Sequence, residues 1–129
     1  MSAIKEFLKA LETLLDDIPC KLSTKIQSES RGDIALYLKG TVVFTDHSEL
    51  HFKEYLIAVP AFKKLAYSYH YQSKDKELIF RFDNAEHHLE VGTYPYHKHL
   101  LDEVVQSKEM SLKEILNEIL SVVFKDEIS

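Results

Sequence analysis

The sequence has a single cysteine, Cys20, among its 129 residues, and only three glycines and three prolines. One cysteine cannot form an internal disulfide or a cysteine-rich zinc site, and such sparing use of cysteine is typical of a reducing cytoplasm. The scarcity of glycine and proline argues against a low-complexity or disordered chain. We therefore expect a folded cytoplasmic protein, with one domain over residues 1–129 and no room for a second.

Long apolar runs and an excess of positive charge are also missing. No run approaches the roughly 20 apolar residues that a membrane-spanning helix requires. Lys5, Glu6 and Lys9 interrupt the apolar residues near the N-terminus, which is unlike a signal peptide. The formal net charge of −5 argues against a protein that coats nucleic acid by bulk electrostatics. It leaves open an enzyme that engages a few phosphates in a locally basic cleft.

Two kinds of apolar periodicity indicate an α+β fold. Apolar residues from Ile4 to Ile18 recur every three or four positions, which predicts a helix that Pro19 ends. From Cys20 to Asp83 the period is two and the separators are short, which predicts an antiparallel meander sheet of about five strands. Ser111 and Glu114 have the spacing of a capping box and predict a C-terminal helix. The expected order is helix, meander with one face covered by helices, irregular histidine-rich segment and helix.

The histidines mark the candidate site, because five of the seven lie between residues 70 and 99. Histidine titrates near neutral pH and serves both proton transfer and metal binding. His97 and His99 share a face in an extended chain, where they can present two imidazoles to one phosphate or one metal. The neighbouring His87 and His88 are adjacent, so in an extended chain they face opposite ways.

Two chemistries suit these side chains. In metal-free RNA cleavage one group removes the 2′-OH proton, another protonates the leaving 5′ oxygen, and a cation stabilises the phosphorane. The catalytic candidates are His97, His99, Arg81, Asp83 and Tyr96, and the candidates for substrate binding are Lys98, Asn84, His87, His88 and Tyr71. In the second chemistry, two or three histidines with Asp83 or Glu86 would bind zinc, manganese or iron. We favour the metal-free reaction and expect no cofactor, although a metal-binding or partner-binding domain without turnover remains the alternative.

Two smaller patterns each have a structural and a functional interpretation. Arg81 and Asp83 share one face of the fifth predicted strand, where they form either part of the site or an ion pair of little energetic consequence. Tyr67, Tyr69 and Tyr71 share one face of the fourth strand, which indicates either half-buried packing or a platform on which bases stack.

The run Phe80-Arg81-Phe82-Asp83-Asn84, followed by His97-Lys98-His99, resembles the TumE-like family of toxins from toxin–antitoxin modules. Members often carry a strand that ends in an aromatic-Asp-Asn triplet, then a histidine pair and a C-terminal helix. The similarity extends over about residues 62–124. The resemblance implies a small toxin encoded beside a helix-turn-helix antitoxin, with RNA as the expected target.

By this match the positions that carry over are Asp83, Asn84, His97 and His99. The sequence departs from the pattern in the extra His87-His88 pair and in a longer, proline-bearing insert that extends to Tyr96. The catalytic roles therefore come from the chemical argument and not from the resemblance. The sequence leaves a homo-oligomer open.

Overall fold

The computed structural model describes residues 2–84, 96–101 and 103–128, and it gives the backbone alone for residues 97, 106 and 124–128. The elements follow in this order: α1 Ala3–Asp16, β1 Lys21–Arg31, β2 Ala35–Phe44, β3 Glu49–Ile57, β4 Lys63–Gln72, β5 Leu78–Asp83, β6 His97–His99, β7 Val104–Gln106 and α2 Leu112–Ile128. Within these residues, seven strands form one sheet in sequence order. Each strand is antiparallel to its neighbour.

The predicted α+β class is confirmed, but the sheet has seven strands and not five. The two additional strands, β6 and β7, contain three residues each. Three residues are too few for an alternating pattern to show in the sequence. These strands exist because β6 pairs with the edge of β5 and β7 pairs with β6.

Local signals set the ends of both helices. In α1, Oγ of Ser2 accepts a hydrogen bond from the amide of Lys5 at 3.1 Å, and the helix ends at Asp16, ahead of Pro19. Before α2, the amide of Ser111 donates to Oε1 of Glu114, and the amide of Glu114 donates to Oγ of Ser111, both at 3.2 Å. The capping box predicted for the C-terminal helix is therefore confirmed.

Both helices pack on one face of the sheet, which we call the covered face. The buried residues of the sheet there include Leu38, Phe52 and Tyr69, and those of the helices include Leu11 and Ile115. Burying a side chain of this size stabilises the fold by about 1.5–3 kcal/mol. None of the described helices is both long and apolar enough to cross a membrane.

The opposite face of the sheet, which we call the open face, carries the alternate positions of each strand. Backbone pairing aligns one polar position from each of five neighbouring strands, β2 to β6. This histidine row consists of Thr41, His51, His70, Arg81 and His99. Residues that are distant in the sequence therefore lie next to each other across the sheet.

Candidate active site

The buried carboxylate of Asp83 lies at the centre of the candidate site. Phe80 and Phe82 point into the core, so the alternation of β5 puts Arg81 and Asp83 on the open face. Asp83 is 4% exposed, and its Oδ2 accepts a hydrogen bond from Nε of Arg81 at 3.0 Å. Nε2 of His99 lies 3.0 Å from the same oxygen. One carboxylate oxygen thus lies within ion-pair distance of a cation and an imidazole.

Two of the catalytic candidates are brought together by the sheet, because Arg81 lies directly opposite His99. Position 97 pairs with Asp83 and lies two residues from position 99, so the β6 backbone puts both positions on one face. The side chain of His97 is not described.

His70 adds an imidazole that the sequence interpretation left out of the site. On β4 it lies directly opposite Arg81 and also opposite His51 of β3. Its Nε2 donates to Oε1 of Gln72 at 3.1 Å, whereas its buried Nδ1 has no hydrogen-bond partner among the described residues. Burial lowers the pKa of His70, the positive charges of Arg81 and His51 lower it further, and the bond to Gln72 opposes them. His70 is therefore held in its neutral form.

The next member of the row, His51, is held on both ring nitrogens. Nδ1 lies 3.2 Å from Oγ1 of Thr41, and Nε2 lies 2.9 Å from Oε1 of Glu49. Glu49 also accepts a hydrogen bond from Nζ of Lys76 at 2.8 Å, and the bonds from Lys76 and His51 lower the pKa of Glu49. His51 extends the histidine row away from Asp83, and its ring centroid lies 6.5 Å from that of His70.

A signal for His70 was present in the sequence. The period-two pattern of β4 already separated Ser68 and His70 from Tyr67, Tyr69 and Tyr71. In a meander of short hairpins, the next strand must then bring one of its own alternate positions beside His70. The register that selects Arg81 depends on the hairpin between β4 and β5, where the pairing shifts between Tyr71 and Gln72.

Two predicted site residues, Tyr71 and Lys98, lie on the covered face and not with Arg81 and His99. Tyr71 is 1% exposed and donates from its hydroxyl to Oγ of Ser48 at 2.7 Å. Lys98 alternates with its neighbours on β6, so its Nζ lies 5.0 Å from the ring centroid of Phe82. Tyr96 packs against the hydrophobic core. Alternation along β4 and β6 separates Tyr71 and Lys98 from the open face, so these two side chains do not join the cluster at Asp83.

The burial of the β4 tyrosines decides whether they serve packing or base stacking. Tyr67, Tyr69 and Tyr71 all belong to the hydrophobic core, under the helices. Their rings make contacts within the core, such as the stacked pair of Tyr67 and Tyr69 with centroids 5.1 Å apart. The row therefore serves packing, and a base cannot stack on rings that are enclosed in this way.

Asn84 ends β5 and ties it to the backbone of β4. Its Oδ1 accepts a hydrogen bond from the amide of Tyr67 at 3.0 Å, and its Nδ2 donates to the carbonyl of Leu65 at 2.9 Å. These bonds satisfy two backbone groups of β4 close to Leu65, where the pairing of β4 with β3 shifts register. Because both ends of the amide are engaged, Asn84 holds the end of the strand that carries Asp83.

The remaining predicted contacts, His87 and His88, lie outside the described residues, as does Glu86. In the parts of the chain that the structure describes, no group of three or more histidine, cysteine, aspartate or glutamate side chains is arranged to hold a metal ion. Asp83 and His99 are two residues of the types that bind zinc. A metal at this point would need further ligands from elsewhere in the chain.

A second polar cluster lies on the covered face. Oε2 of Glu54 accepts a hydrogen bond from the hydroxyl of Tyr69, and Nζ of Lys64 donates to that hydroxyl at 2.7 Å and to the carbonyl of Met110 at 2.6 Å. Nζ of Lys64 lies 3.7 Å from Oε2 of Glu54. Burial is the main cause of the raised pKa of Glu54 and of the lowered pKa of Lys64.

Comparison with known proteins adds one finding to this geometry. The model of the protein family described as Toxin TumE matches residues 11–125. The chain belongs to this toxin family. The membership confirms the resemblance carried by residues 80–84 and 97–99, and it makes the chain a toxin of a toxin–antitoxin module with an antitoxin as its partner. Searches for similar curated proteins and for similar solved structures found no match.

Proposed function

We propose that this TumE-family toxin is a metal-independent endoribonuclease whose reaction takes place on the open face beside Asp83. The observation that carries the proposal is the pair of contacts to one buried carboxylate oxygen, from Arg81 at 3.0 Å and from His99 at 3.0 Å. A carboxylate that orients an imidazole and stabilises its protonated form is a recurring feature of acid–base catalysis. Phosphate chemistry requires a cation near it.

Arg81 is the group that would bind the scissile phosphate. Its Nε is used on Asp83, but no other contact in the described part of the chain engages the guanidinium, and its side chain is 40% exposed. The two terminal nitrogens can therefore form a bidentate contact with phosphate oxygens. As the 2′ oxygen attacks, the positive charge stabilises the phosphorane that forms.

His99 and His97 would transfer the protons. One neutral imidazole takes the proton of the 2′-OH, and the other, as an imidazolium, gives a proton to the leaving 5′ oxygen. In His99, Nε2 lies 3.0 Å from Oδ2 of Asp83, which puts this imidazole beside the cation of Arg81. The products are a 2′,3′-cyclic phosphate and a 5′-hydroxyl. His70 stands beside Arg81 as a neutral imidazole that adds no positive charge to the site.

The biological setting follows from the family and from the chemistry together. The substrate would be a cytoplasmic RNA, and the antitoxin would be a helix-turn-helix protein that blocks this face or its access. Growth arrest on expression would then depend on the same side chains as RNA cleavage.

The test compares His99→Ala with His47→Asn in the purified toxin and in bacterial cells that express it. His47 is exposed in a turn with a positive φ of 66°, a conformation that asparagine tolerates, so this variant removes a histidine far from Asp83. We expect His99→Ala to lower RNA cleavage by roughly 10²–10⁴-fold and to abolish growth arrest, with His47→Asn unchanged. Equal cleavage by wild type and a folded His99→Ala protein would show that His99 is not catalytic, and no cleavage by either protein would leave the partner-binding alternative.

A chelator separates the metal alternative from the metal-free reaction. If a metal held by histidines and Asp83 were essential, dialysis against EDTA would abolish cleavage and added zinc or manganese would restore it. We expect the rate to be the same before and after dialysis.

A further inference from the structure

Two lysines lie beside the histidine row, on the same face of the sheet. Lys39 of β2 and Lys53 of β3 are directly opposite each other in the backbone pairing. Both side chains are exposed, and no ion pair engages either of them within the residues that the structure describes. Like charges that are directly opposite in a sheet destabilise it. The free protein therefore carries a repulsion that a bound anion would remove.

Two tyrosines follow on the far side of these lysines. Tyr37 and Tyr55 are also directly opposite each other on β2 and β3. They are 47% and 38% exposed, in contrast to the buried tyrosines of β4. No ring contact joins the two in the described part of the chain, and both side chains remain partly exposed. An exposed aromatic ring on a sheet is a surface on which a base can stack.

Shallow cavities flank both tyrosine rings. One, of about 220 Å³, lies toward β1 and is lined by Glu29, Arg31, Ala35, Leu36, Tyr37 and Tyr55. The other, of about 200 Å³, lies toward β4, and its lining includes Tyr37, Lys53, Tyr55 and Ser68. The single acidic side chain of the first cavity, Glu29, is accompanied there by the cation of Arg31.

The spacing connects this surface to the proposed reaction. Along β3 the side chains of His51, Lys53 and Tyr55 fall on the same face, because alternate residues of a strand share a face. Two residues of a strand span about 7 Å, so Lys53 lies about 7 Å and Tyr55 about 14 Å from the histidine row along the strand. The order across the face is therefore imidazoles and Arg81, then lysines, then tyrosines.

We propose that Tyr37, Lys39, Lys53 and Tyr55, the tyrosine–lysine surface, bind single-stranded RNA next to the scissile phosphate. Neighbouring phosphates bind the two lysines, and unpaired bases stack on the two tyrosines. The inference rests on the proposed function and gives it a substrate class, because bases paired in a duplex cannot reach these rings. Lys39, Lys53 and Arg81 would give a chain of net charge −5 a local cluster of cations for this RNA.

The first experiment measures binding of a short single-stranded 2′-O-methyl RNA by fluorescence anisotropy. This probe cannot be cleaved through the 2′ oxygen, so binding is observed without turnover. Tyr55→Phe keeps the aromatic ring, whereas Tyr55→Leu keeps an apolar side chain without it. We expect Tyr55→Phe to bind as wild type does, and Tyr55→Leu to bind roughly 5- to 150-fold more weakly.

The second experiment measures the salt dependence of the same binding. Each phosphate neutralised on a single strand contributes about 0.7 to the slope of log K against log salt concentration. Lys39→Gln combined with Lys53→Gln should therefore reduce the slope by about 1.4. The matched control is Lys9→Gln combined with Lys113→Gln, which removes two exposed lysines from the helices on the covered face and should leave the slope unchanged.

The outcomes separate this inference from the proposed function. Equal affinity of Tyr55→Leu and Tyr55→Phe, with an unaltered slope in the open-face lysine variant, would overturn the tyrosine–lysine surface even if the toxin cleaves RNA. Tighter binding of duplex than of single-stranded 2′-O-methyl RNA would also overturn it. If wild type binds the probe with the expected dependence but never cleaves ribose-containing RNA, the surface stands and the ribonuclease proposal fails.

Discussion

The two polar clusters of this toxin lie on opposite faces of the same sheet, and they hold their charges differently. On the covered face, Glu54, Tyr69 and Lys64 satisfy one another and the carbonyl of Met110. On the open face, Asp83 contacts Arg81 and His99, but the side chain of Arg81 remains 40% exposed. The first cluster is closed by its own hydrogen bonds, and the second keeps a cation available to a ligand.

The comparison shows that a perturbed pKa is not sufficient to identify a site. Burial shifts the pKa of Glu54 upward and that of Lys64 downward, and the pKa of Tyr69 is also raised. Strong shifts of this kind often accompany catalysis, but structural ion pairs produce them as well. In this protein, access to a phosphate distinguishes the clusters better than the size of the shifts.

The largest expected difference between the faces is in the rate of RNA cleavage. Arg81→Gln removes a cation from the open face while keeping a donor for Asp83, and Lys98→Gln removes a cation from the covered side of the neighbouring strand. We expect Arg81→Gln to slow cleavage by about 10²- to 10³-fold, because one donor to the phosphorane is lost. Lys98→Gln should cleave at the wild-type rate, since Nζ of Lys98 contacts Glu118 at 3.3 Å and the ring of Phe82.

Breaking the cluster of Glu54, Tyr69 and Lys64 on the covered face should change the stability of the fold and not the rate of cleavage. Lys64→Met leaves the buried carboxylate of Glu54 without its cation and should lower the free energy of unfolding by about 3 kcal/mol, as measured by urea denaturation. The rate of cleavage per folded molecule should not change. Lys63→Met, one residue away and exposed, serves as the control and should lie within about 0.5 kcal/mol of wild type. A loss of cleavage in folded Lys64→Met would erase the distinction between the faces.

A smaller loss of stability is expected where β5 is tied to β4. Asn84→Ala removes the bonds to the amide of Tyr67 and the carbonyl of Leu65, and leaving such groups unsatisfied costs about 1–3 kcal/mol. Asn117→Ala, at an exposed position of α2, is the matched control. If Asn84→Ala is as stable as the control, Asn84 does not hold the strand, and its predicted contact with substrate becomes the better explanation.

The smallest expected effect is on how the stability of the fold depends on pH. The folded protein holds the pKa of His70 below the unfolded value of 6.5, so the unfolded chain binds this proton first as the pH falls. His70 therefore contributes a stability that is complete above 6.5 and is lost as the pH falls from 6.5 toward the folded pKa. His70→Asn should show a shallower loss of stability over this interval than wild type. Identical profiles would mean that His70 is not held neutral beside Arg81.

Much of the fold could be predicted because its signals are local. The capping box of Ser111 and Glu114, the stop at Pro19 and the alternation of the long strands each depend on neighbouring residues. The strands β6 and β7 could not be predicted, because three residues carry no period and form a strand only through pairing with β5. Which face of β4 the helices cover is likewise a property of the packed molecule, and it decides that Tyr71 is buried.

The part of the site that could be predicted comes from residues of β5 and of the neighbouring strand, β6. Arg81 and Asp83 follow from the alternation of β5, and His99 from its spacing to His97. Lys98 lies between those two histidines, so the same alternation already directs it to the other face. His70 and His51 belong to the row only through the register of three hairpin-linked strands, and no local pattern contains that information.

Metal-independent cleavage beside Asp83 is tested most directly by analysing the ends of RNA that the purified toxin has cleaved in the presence of EDTA. We expect 2′,3′-cyclic phosphate and 5′-hydroxyl ends, produced at a rate that the chelator does not alter and that His99→Ala lowers by roughly 10²–10⁴-fold. Cleavage that requires added zinc or manganese and leaves 5′-phosphate and 3′-hydroxyl ends would contradict this expectation.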